Sequence, residues 1–176
     1  MNRTAWILAA LLFSGKVFAL DGMSIEYGHG YSANMGRVTA LWNFDRKWFD
    51  NGDWMVTGFW EASIGAWRGH SAQGNNQTVA DIGVTPVFRF QQRKLSGVAP
   101  YLEGAVGFHL ISPTFIYTNR HFSTAFQFGD HIGFGLRFGD RHQFDLGYRY
   151  QHLSNADIKK PNQGINFSQV RFTYHF

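Results

Sequence analysis

The chain has 176 residues and no cysteine, 44% hydrophobic and 18% aromatic residues against 16% charged, and a formal net charge of +4. The missing cysteines exclude a disulfide framework. A mean hydropathy of -0.24, with no apolar run of about eighteen residues outside the N-terminus, excludes a transmembrane helix but not a transmembrane barrel, where only every second residue meets lipid.

The first nineteen residues read as a secretory signal peptide. Arg3 supplies the positive start, Ala5 to Phe13 the apolar centre, and Val17-Phe18-Ala19 a small-x-small cleavage site. Cleavage after Ala19 is expected to leave residues 20–176 as one domain. Arg3 and Lys16 leave with the signal, so the formal charge falls from +4 to +2. The basic balance is therefore weak evidence for a polyanionic partner, and no nucleic acid is expected.

Eight alternating segments follow. The first, Met23 to Gly28, sets Met23, Ile25 and Tyr27 against Glu26, and a loop runs to Gly36. The second, Arg37 to Phe44, carries Val38, Ala40, Trp42 and Phe44 on one face; a turn spans Asp45 to Asp53. The third, Trp54 to Trp67, sets Trp54, Val56, Trp60, Ile64 and Ala66 against Thr57, Glu61 and Ser63. After a polar loop from Gly69 to Gln77, the fourth, Thr78 to Phe90, sets Ala80, Ile82, Val84, Phe88 and Phe90 against Asp81, Thr85 and Arg89. Pro86 inside it predicts a bulge or an end of pairing.

The fifth segment, Val98 to Leu110, opposes Leu102, Val106, Phe108 and Leu110 to Tyr101, Glu103 and His109. A loop from Ile111 to Ser123 leads to the sixth, Thr124 to Phe138, where a run of even-numbered apolar residues is interrupted by Asp130. Gly139-Asp140-Arg141 is a turn. The seventh, His142 to Ser154, has Phe144, Leu146, Tyr148 and Tyr150 opposite Asp145, Arg149 and Gln151. The eighth, Ile165 to Phe176, alternates Val170, Phe172, Tyr174 and Phe176 with Gln169, Arg171, Thr173 and His175.

Period two throughout predicts an all-β fold, an eight-stranded antiparallel barrel. A soluble barrel would turn the apolar face inward; an outer-membrane barrel turns it to lipid. Eight strands cannot pack this many Phe, Trp and Tyr inside so narrow a barrel. Five acids (Glu26, Glu61, Asp81, Glu103, Asp145) and five bases (Arg37, Arg89, Arg137, Arg149, Arg171) can instead pair in the lumen. The alternating aromatics that finish on Phe176 also resemble the assembly signal of bacterial outer-membrane proteins. An even strand count leaves both termini on the periplasmic side.

Gln151-His152-Leu153-Ser154-Asn155 closes the seventh segment. Residues i and i+2 of a strand share a face about 7 Å apart, so the imidazole of His152 can take the proton of the Ser154 hydroxyl. Both share the parity of Tyr148 and Tyr150, so they face outward, as does Asn166 at the start of the eighth segment. The plain alternative is a strand that has already left the bilayer, with these groups merely solvated. The other seven histidines show no ligand spacing, and neither a metal nor a cofactor is expected.

His152-Leu153-Ser154-Asn155 with Lys159-Lys160-Pro161-Asn162-Gln163-Gly164 closely resembles the signature of PagL, the outer-membrane lipid A 3-O-deacylase family. Signal, length and segment pattern match over the whole chain, the specific motif over its last quarter. The resemblance implies a barrel whose active site faces outward, with Ser154 as nucleophile and His152 as general base. It also implies a place for Asn155 at the oxyanion. Lys159 and Lys160 become candidates to meet the phosphates of lipid A, with a merely solvated loop as the plainer reading. Lipopolysaccharide and the outer membrane are then the partners, and a homodimer stays open.

One position departs from the family pattern, because Asn166 stands where well-known members have a glutamate. Exchanging the acid of a Ser-His-Asp triad for its amide costs about 10⁴ in rate, yet Cys-His-Asn sites work. Asn166 is expected to orient His152 without charge; Asp157, in the loop, is the other candidate. Two further readings remain: a non-catalytic adhesin or structural barrel, and another lipid A-modifying enzyme such as an acyltransferase. A pore is disfavoured, because side chains fill an eight-stranded lumen.

Overall fold

Alternation of large apolar and polar side chains is what a sheet with two different environments demands, and the strands follow it closely. The computed structural model describes residues 19–176, so the segment read as a signal peptide, Ala19 apart, lies outside the described residues. The elements in chain order are β1 (Gly22–Gly30), β2 (Ala33–Asn43), β3 (Trp54–Gly69), β4 (Thr78–Gln92), β5 (Ala99–Ser112), β6 (Phe115–Tyr117), β7 (Arg120–His121), β8 (Phe126–Phe138), β9 (Phe144–Ser154) and β10 (Ile165–His175). Eight of them form one closed antiparallel barrel, with β10 pairing β1 to shut it. The two short strands β6 and β7 make a hairpin inside the loop from Ile111 to Ser123, which the alternation of the sequence did not signal.

The barrel is inside-out relative to a soluble protein. Ile132 is 71% exposed on the outer wall, whereas Arg171 is 0% exposed in the lumen. Arg149 reaches Glu61 at 2.9 Å and also pairs with Glu103; Arg89 bridges Asp145 at 2.7 Å and Glu103 at 2.8 Å. Arg37 meets Asp81 at 2.9 Å, and Arg171 meets Glu61 at 2.7 Å. The Tyr101 hydroxyl donates to Asp145 at 2.6 Å. Arg137, read from the sequence as one of five inward bases, is only half-buried and donates to the carbonyl of His142 at the β8–β9 turn. The deep network thus holds four arginines against five acids.

Above this polar middle the lumen turns apolar. Trp67, Phe122, Phe167, Ile116, Leu153 and Ile165 belong to one buried cluster, where the ring of Trp67 meets those of Phe122 and Phe167 at centroid distances of 5.8 and 5.5 Å. Phe122 and Ile116 come from the loop that carries β6 and β7, so that loop folds over the outer mouth and stoppers it. Leu153, between His152 and Ser154, is part of this stopper. Burying Leu153 inward forces its two neighbours outward, since a one-residue slip would exchange the faces.

Of the two outcomes expected at Pro86, the structure shows a break in pairing and no bulge. The β4–β5 ladder has no pairs at Thr85 and Pro86, but Val84↔Phe108 and Val87↔Ala105 lie on either side in the same register. The ring removes a donor without adding a residue. Thr85 then leans over Gly107, where a Cβ would sit 2.0 Å from the Thr85 hydroxyl oxygen, so only glycine fits.

The lumen network makes the barrel sensitive to single charge losses. Arg149→Met leaves Glu61 and Glu103 short of a partner and should destabilise the barrel by about 3–5 kcal/mol. Denaturant unfolding of the detergent-solubilised barrel measures this, and an unchanged midpoint would contradict the pairing described.

Candidate active site

The three outward polar residues read from the sequence come together on adjacent strands. His152 of β9 lies directly opposite Asn166 of β10, and its Nδ1–H donates to Asn166 Oδ1 at 2.6 Å. That bond fixes one ring orientation and leaves Nε2 with its lone pair for a hydroxyl. Ser154 sits two residues on, half-buried, opposite Phe128 of β8. Among the described residues no hydrogen bond joins Ser154 to His152; such contacts tighten when substrate binds. Asp157 does not approach the imidazole by a hydrogen bond and instead accepts from Asn162 at 3.2 Å.

The chain leaves β9 through a tight turn. Ala156 and Asp157 have φ of 52° and 61°, and Ile158 N–H donates to Asn155 O at 3.1 Å, the pattern of a type I′ turn. Gly164, with φ of 58°, leads into β10; a Cβ there would lie 2.8 Å from His152 Cε1. The glycine is needed both for the backbone and to give the imidazole its space.

Asn155 departs from the role expected for it. Its side chain is 0% exposed, and the amide donates to the carbonyls of Phe122 at 2.9 Å and Lys159 at 2.8 Å. Its backbone N–H is taken by Asn162 Oδ1 at 3.0 Å. Asn155 therefore ties the turn to the stopper loop and has no free donor to offer an oxyanion. Lys159 and Lys160 are exposed on the tip of the same loop.

Two positioning features were missed from the sequence. Arg120, on β7, donates from Nη1 to the carbonyls of Gln163 at 3.0 Å and Gly164 at 2.7 Å, while Nε reaches the Tyr117 hydroxyl at 3.1 Å. Ser123 Oγ donates to the Pro161 carbonyl, and His121 N–H to Gln163 Oε1 at 3.1 Å. The β9–β10 loop is thus clasped by the β6–β7 hairpin. No local spacing signals such a long-range clasp.

A groove of about 710 Å³ opens on the outer wall beside His152. It runs across β9, β8, β5 and β4, over Tyr150, Ile132, Gly104, Val106, Phe88 and Pro86. Gly104 supplies no side chain in its row, and the floor is mostly small or aliphatic. Three strand spacings of about 4.8 Å give it a length of about 14 Å. Such a trough suits an extended alkyl chain.

Comparison with known proteins agrees with this arrangement. Residues 30–175 match the family model described as lipid A 3-O-deacylase (PagL). The lipid A deacylase PagL of Bordetella bronchiseptica is 31% identical over 165 residues, 88% of this chain and 83% of that protein. Its namesake in Pseudomonas aeruginosa is 29% identical over 161 residues, covering 90% and 89%. The crystal structure of the outer membrane enzyme PagL superposes with a TM-score of 0.76 at 25% identity, covering 88% of this chain and 99% of that one.

Asn155→Ala leaves the buried Phe122 carbonyl without its donor, at a local cost of about 1–3 kcal/mol, and frees the more exposed Lys159 carbonyl. Hydrogen exchange over residues 155–164 should quicken while the barrel strands stay protected. Unchanged exchange in the loop would show that Asn155 does not hold it.

Proposed function

Because the chain belongs to the lipid A 3-O-deacylase family, PagL, we propose that it hydrolyses the 3-O-linked acyl ester of lipid A by a serine–histidine mechanism on the outer wall of its outer-membrane barrel. The observation that carries this mechanism is the 2.6 Å hydrogen bond from His152 to Asn166, beside Ser154 and facing away from the lumen. A site on that face meets substrates that lie in the membrane.

In this reading His152 Nε2 takes the proton of Ser154 as Oγ attacks the ester carbonyl. The tetrahedral oxyanion meets backbone N–H groups of Ala156 and Asp157, which among the described residues donate to no other backbone group and lie just past Asn155 in the turn after the serine. Asn155 serves that step by holding the turn. His152 then returns the proton to the departing 3-oxygen of the sugar, which leaves as a hydroxyl. Water, deprotonated by the same imidazole, releases the fatty acid from Ser154. The acyl chain lies in the groove over Gly104 and Val106, and Lys159 and Lys160 approach the phosphates as point charges.

Asn166 accepts the Nδ1–H and so selects the correct tautomer, but it brings no negative charge to the imidazolium. The segment before Leu20 is read as a signal that directs export and is then removed.

Mass spectrometry of lipid A from cells with and without the protein tests the reaction. One hydroxyacyl chain should be lost when the protein is present; an unchanged profile with inserted barrel rules out deacylation, and a gain in mass indicates acyl transfer. Ser154→Ala should abolish the loss while the barrel remains heat-modifiable on gels, and activity that persists rules Ser154 out as nucleophile. Asn166→Ala should slow turnover, whereas Asn166→Glu should match or raise it; equal rates for Ala and the parent remove the orienting role.

A further inference from the structure

The outer wall carries a carboxylate that the mechanism above leaves unused. Six carboxylates lie on the barrel strands; Glu26, Glu61, Asp81, Glu103 and Asp145 are buried in the lumen, and Asp130 is exposed on the opposite face. Asp130 is the fifth residue of β8, with Phe126 and Phe128 between it and the outer rim. A charge on the apolar face of a barrel is costly, and among the described residues no hydrogen bond or ion pair engages this one. In the sequence it was only an interruption of the apolar run.

Register gives it a purpose. Asp130 is paired directly with His152 across the β8–β9 ladder, as Asn166 is across β9–β10. Directly opposed residues hold their Cβ atoms about 4.5–5.5 Å apart, and Asp130 and His152 line the same end of the groove. The imidazole therefore stands between an amide that orients it and a carboxylate that carries charge.

We propose that Asp130 is a positioning residue for the deacylation, supplying from β8 the negative charge that stabilises the His152 imidazolium and that Asn166 cannot supply. This rests on the deacylase reading of the site. The two duties that one acid performs in a Ser-His-acid triad, orientation and charge, are divided here between residues on opposite sides of the ring. Other groups facing His152 are Tyr150 on its own strand, and Tyr31 and the Arg120 guanidinium in the cleft on its other side. Lys159 and Lys160 lie on the tip of the adjoining loop. These cations disfavour an imidazolium, so a nearby carboxylate has something to offset.

Steady-state kinetics on purified lipid A in mixed micelles, with parent and variant barrels verified by heat-modifiability, test the proposal. Asp130→Asn should lower kcat by about ten- to a hundredfold with KM little changed. It should also move the acidic limb of the pH–rate profile to lower pH, because removing the negative charge disfavours protonation of the base. Asp130→Glu should retain most of the rate. In an Asn166→Glu background, which restores charge on the β10 side, Asp130→Asn should cost less than about threefold. An unchanged kcat and pH profile in Asp130→Asn, or an equal loss in both backgrounds, would overturn the proposal while leaving the deacylase reading intact. An inactive parent, or an active Ser154→Ala variant, overturns that reading and this inference together.

Discussion

The charge network in the lumen is the constraint on which everything else depends. Four arginines and five acids, buried and cross-linked by ion pairs of 2.7–3.5 Å among others, fill the barrel where a soluble protein would place its aliphatic core. Breaking such pairs singly is expensive, because the orphaned charge stays buried. The interior at the depth of this network is consequently committed to pairing these charges. Period two then leaves only the outer face for any further chemistry. An active site on this barrel has to be built where the solvent is lipid.

That placement creates a problem of precision, since catalytic groups on an outer wall have no surrounding cleft to hold them. The structure meets it from behind. Leu153 and Ile165 face each other across β9 and β10 and enter the apolar stopper with Trp67 and Phe122. Their burial sets the register that turns His152, Ser154 and Asn166 outward together. The clasp of Arg120, Ser123 and Asn155 then holds the connecting loop against the stopper. Packing on one face thus positions chemistry on the other.

How much of this could be read in advance follows from what each feature depends on. Strand period and face depend on local alternation, so the eight barrel strands and the outward direction of His152 were legible. The ends were less so: β3 runs to Gly69 and β5 to Ser112, beyond the last clear alternation. Partnership depends on register between segments far apart in the chain. Asp130 was visible as a break in an apolar run, but its neighbour on β9 was not. Trp67 gave no sign that it would pack against Phe122, and nothing near Arg120 points to the carbonyl of Gly164. Asn155 shows the converse. The family resemblance implied a donor for the oxyanion there, and nothing in the sequence signalled that the amide would be engaged by two carbonyls, one of them 33 residues away.

Asn166, where the family pattern has a glutamate, is the place where these levels meet. An amide there preserves the hydrogen bond to Nδ1 and so preserves geometry, which is a local property of the β9–β10 pair. Charge acts over a longer range than a hydrogen bond, falling as the inverse of distance and strengthening as the surroundings become less polar. A carboxylate one strand away can therefore act on the imidazole without touching it, and the low dielectric at the lipid-facing wall favours such action. Geometry has to be supplied by contact, whereas charge need only be near. In the proposed mechanism that difference would let a barrel with an amide as the orienting group keep a working base, provided the strand on the other side carries an acid in the same row, as β8 does.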